Sequence, residues 1–429
     1  MDSGWRETYE ELVKFLNEHD PSRTFNLRGE DLATFTKLKE ELKERFVNCV
    51  LGEGDLRAAY SWIKVFNEGI EGLKDRLRLR GLLLSKELKS FVEDPKAHLK
   101  KKIFLYMHDL LRGKMGVEEF ERSAGAAIRT SLRTNMRSVY QDWVLVSLLK
   151  GLASKGAKMI YPEYGYLSLD RAGKQRGGGI PPNLILWLNG GYLSFFLEAP
   201  RPVGWEDGRE LRRAWSLYVA LRPDILVYAG RVLNIVKIGA NPPIKRPDII
   251  IECKELEDWY MRSRDMRGPF AKPLTAEEWR SRWLKGLYRG LADALGVKEK
   301  DVREAVESKK SIRVREPRLV CLYKALYSPK HLILICRAEV PDQVKSDLEG
   351  EGIEVFDGVG FEERKLNEVV ELLSEEASRV KEGGPLILEG EVARLAYELS
   401  LKTGKPPIEA VKSALIKALK EESGAPAGI

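Results

Sequence analysis

The chain has 429 residues, 43% of them hydrophobic and 32% charged, and a formal net charge of +7. That length supports two or three domains with real cores, and the composition is that of a soluble globular protein. No apolar run approaches the length a bilayer demands, which sets aside a membrane protein. The charged stretch Met1 to Glu7 lacks the apolar segment of a secretory signal. Cys49, Cys253, Cys321 and Cys336 show no CxxC spacing and lie on apolar segments, so a reduced, cytoplasmic protein is expected. Glutamine occurs only at 141, 175 and 343 among abundant Lys, Arg and Glu, a bias that points to a thermophile.

Residues 1–122 read as helical, with apolar residues three and four apart over Tyr9 to Leu16 and Asp31 to Phe46. Asp94-Pro95 and the pair Gly113 and Gly116 mark breaks. His19, His98 and His108 lack metal-ligand spacing and read as solvated or packed. This part is expected to be an accessory domain that offers a surface to a protein partner. From Ser123 a long helix, Ala124 to Leu152, carries Arg129, Arg133, Arg137 and Gln141 four apart. That basic line is either a solvated face or a phosphate-contacting stripe. Gly156 leads into a strand over Met159 to Leu169. The loop Arg171 to Gly179 is basic and glycine-rich but lacks the GK[ST] ending of a nucleotide cradle. Leu184 to Leu188, Asn189-Gly190-Gly191 and Tyr192 to Leu197 form a hairpin pattern.

A helix over Arg209 to Tyr218 feeds a strand opened by Arg222-Pro223-Asp224-Ile225-Leu226. Val232 to Ile238 suggests a further hairpin strand, and a proline-rich loop returns to Ile249-Ile250-Ile251-Glu252-Cys253-Lys254. Residues two apart on a strand share a face, so Glu252 and Lys254 stand together while Ile249, Ile251 and Cys253 point the other way. Charges in so apolar a strand are costly unless paired or bound to an ion. Two carboxylates and a lysine converging on one spot suit a hard cation and metal-assisted phosphodiester hydrolysis. The first carboxylate is Asp224 or Asp248, since Pro247-Asp248 opens the same strand. Downstream lies a basic window holding Arg262, Arg264, Arg267, Arg280, Arg282 and Lys285, overlapping an amphipathic helix over Ala276 to Leu295. His331 to Cys336 reads as a strand, Pro341 to Leu348 as a helix, and Ile353 to Phe356 as a last strand. This order describes an α/β fold, a mixed sheet covered on both faces.

Pro223-Asp224 with Glu252-Cys253-Lys254, placed on two apolar strands and followed by further helix and strand, resembles the PD-(D/E)XK nuclease superfamily. The resemblance covers residues 123–360 and implies a restriction-endonuclease-like mixed sheet flanked by helices. It implies that Asp224, Glu252 and the Cys253 carbonyl hold Mg2+ or Mn2+, with Lys254 acting on the attacking water. An additional upstream acid is Glu163, or else Asp142, and Lys285 with Tyr288 takes the place of a polar residue and tyrosine on the helix after the motif. Over residues 361–429, the stretch Pro385 to Leu399 continuing through Thr403-Gly404 to Leu415 resembles the ribbon-helix-helix fold of VapB-type antitoxins. That likeness implies a homodimer.

The combined expectation is a magnesium-dependent deoxyribonuclease, an endonuclease, with Arg129, Arg133, Arg137 and the basic window gripping DNA phosphates. The alternative is a catalytically inactive protein of the same fold that binds DNA or serves assembly.

Overall fold

The computed structural model describes residues 4–172, 179–199, 222–237, 244–266, 300, 312–380, 390–405 and 407–422. The chain divides into two compact units, Met1–Glu382 and Gly383–Ile429. The expected helices over 209–218 and 276–295, and the basic residues Arg267, Arg280, Arg282 and Lys285, lie outside the described residues, as does Tyr288.

The first unit opens with helices α1 (Gly4–His19), α2 (Gly29–Val50) and α3 (Glu53–Leu77). A short strand β1 (Gly81–Leu83) and helices α4 (Lys86–Glu93), α5 (Pro95–Lys102) and α6 (Phe104–Leu111) follow. Each long helix buries one stripe: in α3, Ile63, Phe66, Ile70, Leu73 and Leu77 recur three and four apart. Asp94 caps α5 by accepting from the Ala97 N–H at 2.9 Å, with Pro95 at the first helical position.

Helix α7 (Val117–Ser154) has 38 residues, a rod about 57 Å long. Val139 to Leu149 are buried without interruption, as in a helix packed on every side. The same rod therefore serves the helical layer at its start and the sheet at its end. The boundary expected between 122 and 123 falls inside it, and one hydrophobic core runs from Trp5 and Phe46 through Trp143 to Ile251.

The sheet has seven strands in the order β11-β10-β7-β6-β5-β4-β2. These are β2 (Lys158–Tyr161), β4 (Leu184–Leu188), β5 (Gly191–Leu197), β6 (Ile225–Ala229), β7 (Ile249–Lys254), β10 (His331–Cys336) and β11 (Glu354–Phe356). In this sheet β2, β4, β5, β6 and β7 pair antiparallel in turn, whereas β7, β10 and β11 run parallel. Its central strands are buried on both faces, so their sequences are apolar runs rather than alternations. Ile249, Ile251 and Cys253 enter the core shared with α7 and with helix α10 (Asn367–Arg379). Ile250, Leu226, Tyr228 and Phe196 enter a second core with Leu319, Val320 and Tyr323 of helix α8 (Glu316–Tyr327). Helix α9 (Asp342–Gly350) lies between β10 and β11 in the chain.

Two expected strands are corrected. The segment over Met159 to Leu169 is broken at a turn, where Gly165 takes φ +76°. Its second half, β3 (Tyr166–Ser168), leaves the main sheet and pairs parallel with β1. Of the expected strand Val232 to Ile238, the described residues up to Lys237 form no strand, only an isolated bridge from Val236 to Ile244. A two-stranded ribbon, β8 (Ser263–Met266) with β9 (Ile312–Arg315), was not anticipated. No helix among the described residues is long and apolar enough to cross a membrane.

The β4–β5 hairpin turns through Asn189 and Gly190, at φ 53° and 86°, the left-handed pair its two-residue loop requires. Gly191 then passes under the end of α10: a Cβ there would sit 1.8 Å from the Ala377 carbonyl and 2.7 Å from that of Val380. Gly191→Ala is expected to lose about 3 kcal/mol through overpacking against backbone. Urea unfolding should show this as a lower midpoint with an unchanged slope. An unaltered midpoint would mean that α10 is not seated on the hairpin.

The second unit holds helices α11 (Gly390–Thr403) and α12 (Pro407–Glu422), which pack on each other through a turn at Gly404, with Ala396 and Ala410 buried. Leu395, Tyr397, Leu401 and Leu415 remain more than half exposed. The opening residues 385–389 of the stretch that resembles a ribbon-helix-helix fold lie outside the described residues.

Candidate active site

Register assembles the site. Leu197 of β5 faces Ile225 of β6, and Ile225 faces Ile251 of β7. One further step along the same register puts Glu198, Asp224 and Glu252 in a single row across three adjacent strands. The backbone confirms the alignment: the Glu198 N–H donates to the Asp224 carbonyl at 2.8 Å, and the Asp224 N–H donates to Glu252 Oε2 at 3.2 Å. The Cys253 N–H in turn donates to Asp224 Oδ2 at 2.8 Å. Like charges placed side by side across strands destabilise a sheet. A row of three at the mouth of an apolar sheet needs a compensating cation.

Lys254 stands on the same face and is 4% exposed. Its Nζ lies 3.0 Å from Glu252 Oε1 and 2.9 Å from Glu316 Oε2, and 5.6 Å from the centroid of the Trp259 ring. Glu316 opens α8, where the helix dipole favours an acid. One lysine thus serves two buried carboxylates. Asp224 is left the poorer, although Arg137 and Lys254 offset part of its charge. Burial and then the Glu252 carboxylate raise its carboxyl to about 8. Arg137 reaches in from α7 with Nη2 3.6 Å from Glu198 Oε1. Burial opposes its charge, but Asp224, Glu198, Glu255 and Glu252 together outweigh that and lift its guanidinium above the usual range.

These groups line a cavity of about 510 Å³, with Arg133, Arg171, Arg222 and Arg262 around the acids. Arg171 pairs with Glu198, and Arg262 holds Asp258 through two contacts of 2.7 and 3.0 Å. Burial, then the like charge of Arg171, lowers the Arg222 guanidinium. An anion entering beside these arginines would relieve that repulsion.

The structure therefore brings together Asp224, Glu252, Cys253, Lys254, Arg133, Arg137 and Arg262. It does not bring in Glu163, which is exposed in the turn after β2 and lines no part of the cavity. Arg129 is exposed and also outside it. Arg264 lies on β8. Asp248 sits at the opposite end of β7, four residues or about 13 Å from Glu252. There it accepts from the Ala229 N–H at 2.9 Å and pairs with Arg379 at 2.5 Å. Asp142 is buried in α7 and lines a neighbouring cavity.

Sequence reasoning passed over Glu198, Glu316 and Arg222. Glu198 carries the same signal as Asp224, an acid abutting an apolar strand. Its backbone adds a second mark, a φ of 38° that non-glycine residues seldom adopt.

Among the described residues no three His, Cys, Asp or Glu side chains already close into a metal cage. The donor set fits a small hard cation nonetheless. Mg2+ usually takes one or two carboxylates, keeps several waters and shares substrate phosphates. Asp224 and Glu252 supply such a pair, short of positive charge, and the Cys253 carbonyl adds a neutral oxygen at the same strand end. Comparison with family models, curated proteins and solved structures found no match to this chain.

Proposed function

We propose that this protein is a metal-dependent nuclease that hydrolyses DNA phosphodiester bonds on a restriction-endonuclease-like core of the PD-(D/E)XK type. The observation that carries this reading is the row Glu198, Asp224 and Glu252 with Lys254 beside it, inside an arginine-lined cavity. Bound by Asp224, Glu252 and the Cys253 carbonyl, Mg2+ or Mn2+ would polarise the phosphoryl oxygen and lower the pKa of water. Lys254 orients the attacking water and offsets charge growing on the phosphorane oxygens. Glu316 holds the lysine from the far side, so its ammonium would stay in place with Glu252 engaged by a cation. Arg133, Arg137, Arg171, Arg222 and Arg262 hold the phosphate backbone, so binding should weaken steeply with salt. The exposed apolar side chains of α11 and α12 support homodimerisation through the tail.

The test is cleavage of single-stranded, duplex and branched DNA, and of RNA, with and without Mn2+. Metal-dependent scission of DNA that disappears in Glu252→Ala is the expected result. Cleavage that survives both Glu252→Ala and Lys254→Ala, each purified separately, would overturn the assignment. The close bridging of Lys254 between two acids favours one rival, a structural ion pair in an inactive DNA-binding protein. That reading predicts salt-sensitive DNA binding with no turnover in any metal.

A further expectation separates the acids. Glu198→Gln should reduce metal-dependent cleavage by about 10- to 100-fold, the usual effect of disturbing a group next to a metal. Glu163→Gln should leave it unchanged. The reverse order of effects would restore Glu163 to the site.

A further inference from the structure

Beside the acid row lies a larger cavity of about 840 Å³. Thr134, Arg171 and Glu198 line both cavities, so the two share a wall. One side of the larger one is a face of α7 built from small residues, among them Ala126, Ala127, Thr130 and Ser138. Gln141 and Asp142 lie further along the same helix and also line it. Each is only 5% exposed. Among the described residues neither side chain has a hydrogen-bond partner. Both side chains border the open cavity, so their hydrogen-bonding groups are free to meet a molecule that enters it.

The chemistry of that ligand follows from what surrounds it. Burial, then Glu198, Asp170 and Asp224, pushes the Asp142 carboxyl well up, and in its protonated form a carboxyl can both donate and accept. The Gln141 amide also donates and accepts. Two cations line this cavity: Lys102, which pairs with Glu87, and Arg171, which lies on the wall shared with the smaller cavity, against the four acids Glu87, Asp142, Asp170 and Glu198. A phosphate would meet acids here and be repelled. A flat neutral group with alternating donors and acceptors would be matched, and Tyr106 on the facing helix offers a surface for stacking. Those are the properties of a nucleobase edge and face.

We propose that this cavity receives the base of a DNA nucleotide adjoining the scissile phosphate, turned out of its stack. The proposal rests on the nuclease reading for the phosphate end alone. Helix α7 presents Arg133 and Arg137 to the smaller cavity and Gln141 to the larger, with Arg137 and Gln141 one turn or about 6 Å apart. A single nucleotide bridges that distance. Extrusion is least costly at unpaired, mismatched or single-stranded positions, which therefore become the preferred substrates.

The test measures binding, not turnover. Calorimetric titration of the full-length protein, in Mn2+, compares deoxynucleoside monophosphates with deoxyribose 5-phosphate. The nucleotides are expected to bind at least about tenfold more tightly, a difference of about 1.4 kcal/mol. Ala127→Trp, which fills the cavity, should remove that preference and leave the sugar phosphate unaffected. Should Ala127→Trp fail to fold, Asp142→Asn serves, and it should change the ranking among the four bases. Equal binding of nucleotide and sugar phosphate by the wild type, or a base preference untouched by both variants, would overturn the proposal. A second arm places 2-aminopurine in a short single-stranded oligodeoxynucleotide. A fluorescence change on binding that is lost in Ala127→Trp supports a base drawn from a strand. No change in the strand, with binding of free nucleotides, would assign the cavity to free nucleotides and overturn that source. A protein that passes these tests yet never cleaves DNA would retain the base pocket and lose the nuclease reading.

Discussion

Lys254→Ala should destabilise the protein by about 3–5 kcal/mol at pH 7 and abolish metal-dependent cleavage. The lysine is buried between Glu252 at 3.0 Å and Glu316 at 2.9 Å, so its loss strands two carboxylates in an apolar setting. Removing one member of a buried ionic cluster costs more than the cluster contributes, because the remaining charges keep their desolvation penalty. A double variant, Lys254→Met with Glu316→Gln, should recover much of the stability, since one stranded charge goes with the lysine. It should recover none of the cleavage. Chemical denaturation read together with an activity assay separates the two effects. A Lys254→Ala protein as stable as the wild type would show that the ammonium is not seated between the acids.

Asp224→Asn should act with the opposite sign on stability and the same sign on activity. The Asp224 carboxyl sits at about 8 against an ordinary 3.8, raised first by burial and then by Glu252. Between those two values the folded protein holds a proton that the unfolded chain has released. Stability of the metal-free protein therefore falls as pH rises from about 4 to about 8. The asparagine carries no such charge and can still accept from the Cys253 N–H. It should leave stability unchanged near pH 4 and raise it by about 1–3 kcal/mol near pH 8. Cleavage should drop by at least about 10²–10³-fold, the scale of losing one preorganised charge-stabilising group. Protons and metal compete for the same carboxylate, so Mn2+ affinity in the wild type should rise by up to about tenfold per pH unit below 8. Thermal melts across pH, with Mn2+ titrations at each point, check all three. A wild type whose metal-free stability rises from pH 5 to pH 8 while Asp224→Asn gains nothing would refute the account.

The strands were legible because they are buried on both faces, which leaves runs such as Ile249-Ile250-Ile251 and Leu332 to Ile335 with nothing polar between. The placement of Glu252 beside Lys254 followed from strand periodicity alone. What escaped was non-local. Glu198 joins the site only because β5, β6 and β7 share a register, and no sequence window spans those three strands. Glu316 meets Lys254 from 62 residues away. Asp248 has the right parity on β7, but strand rise carries it to the other end. Glu163 was expected on a continuous strand, and the turn that breaks this strand sends it to the surface. Local pattern identified the charged motif, and pairing between distant strands decided which acids join it.

The length of α7 carries a last consequence. The arginines at the site ride on the same unbroken rod that anchors the helical layer through Phe120, Ile128 and Leu132. The two parts are not separable cassettes: excising the first 122 residues would bare that face of the rod to water. It also makes the rod a lever. A displacement of the helical layer would be carried along it to Arg133 and Arg137, and so to the edge of the acid row.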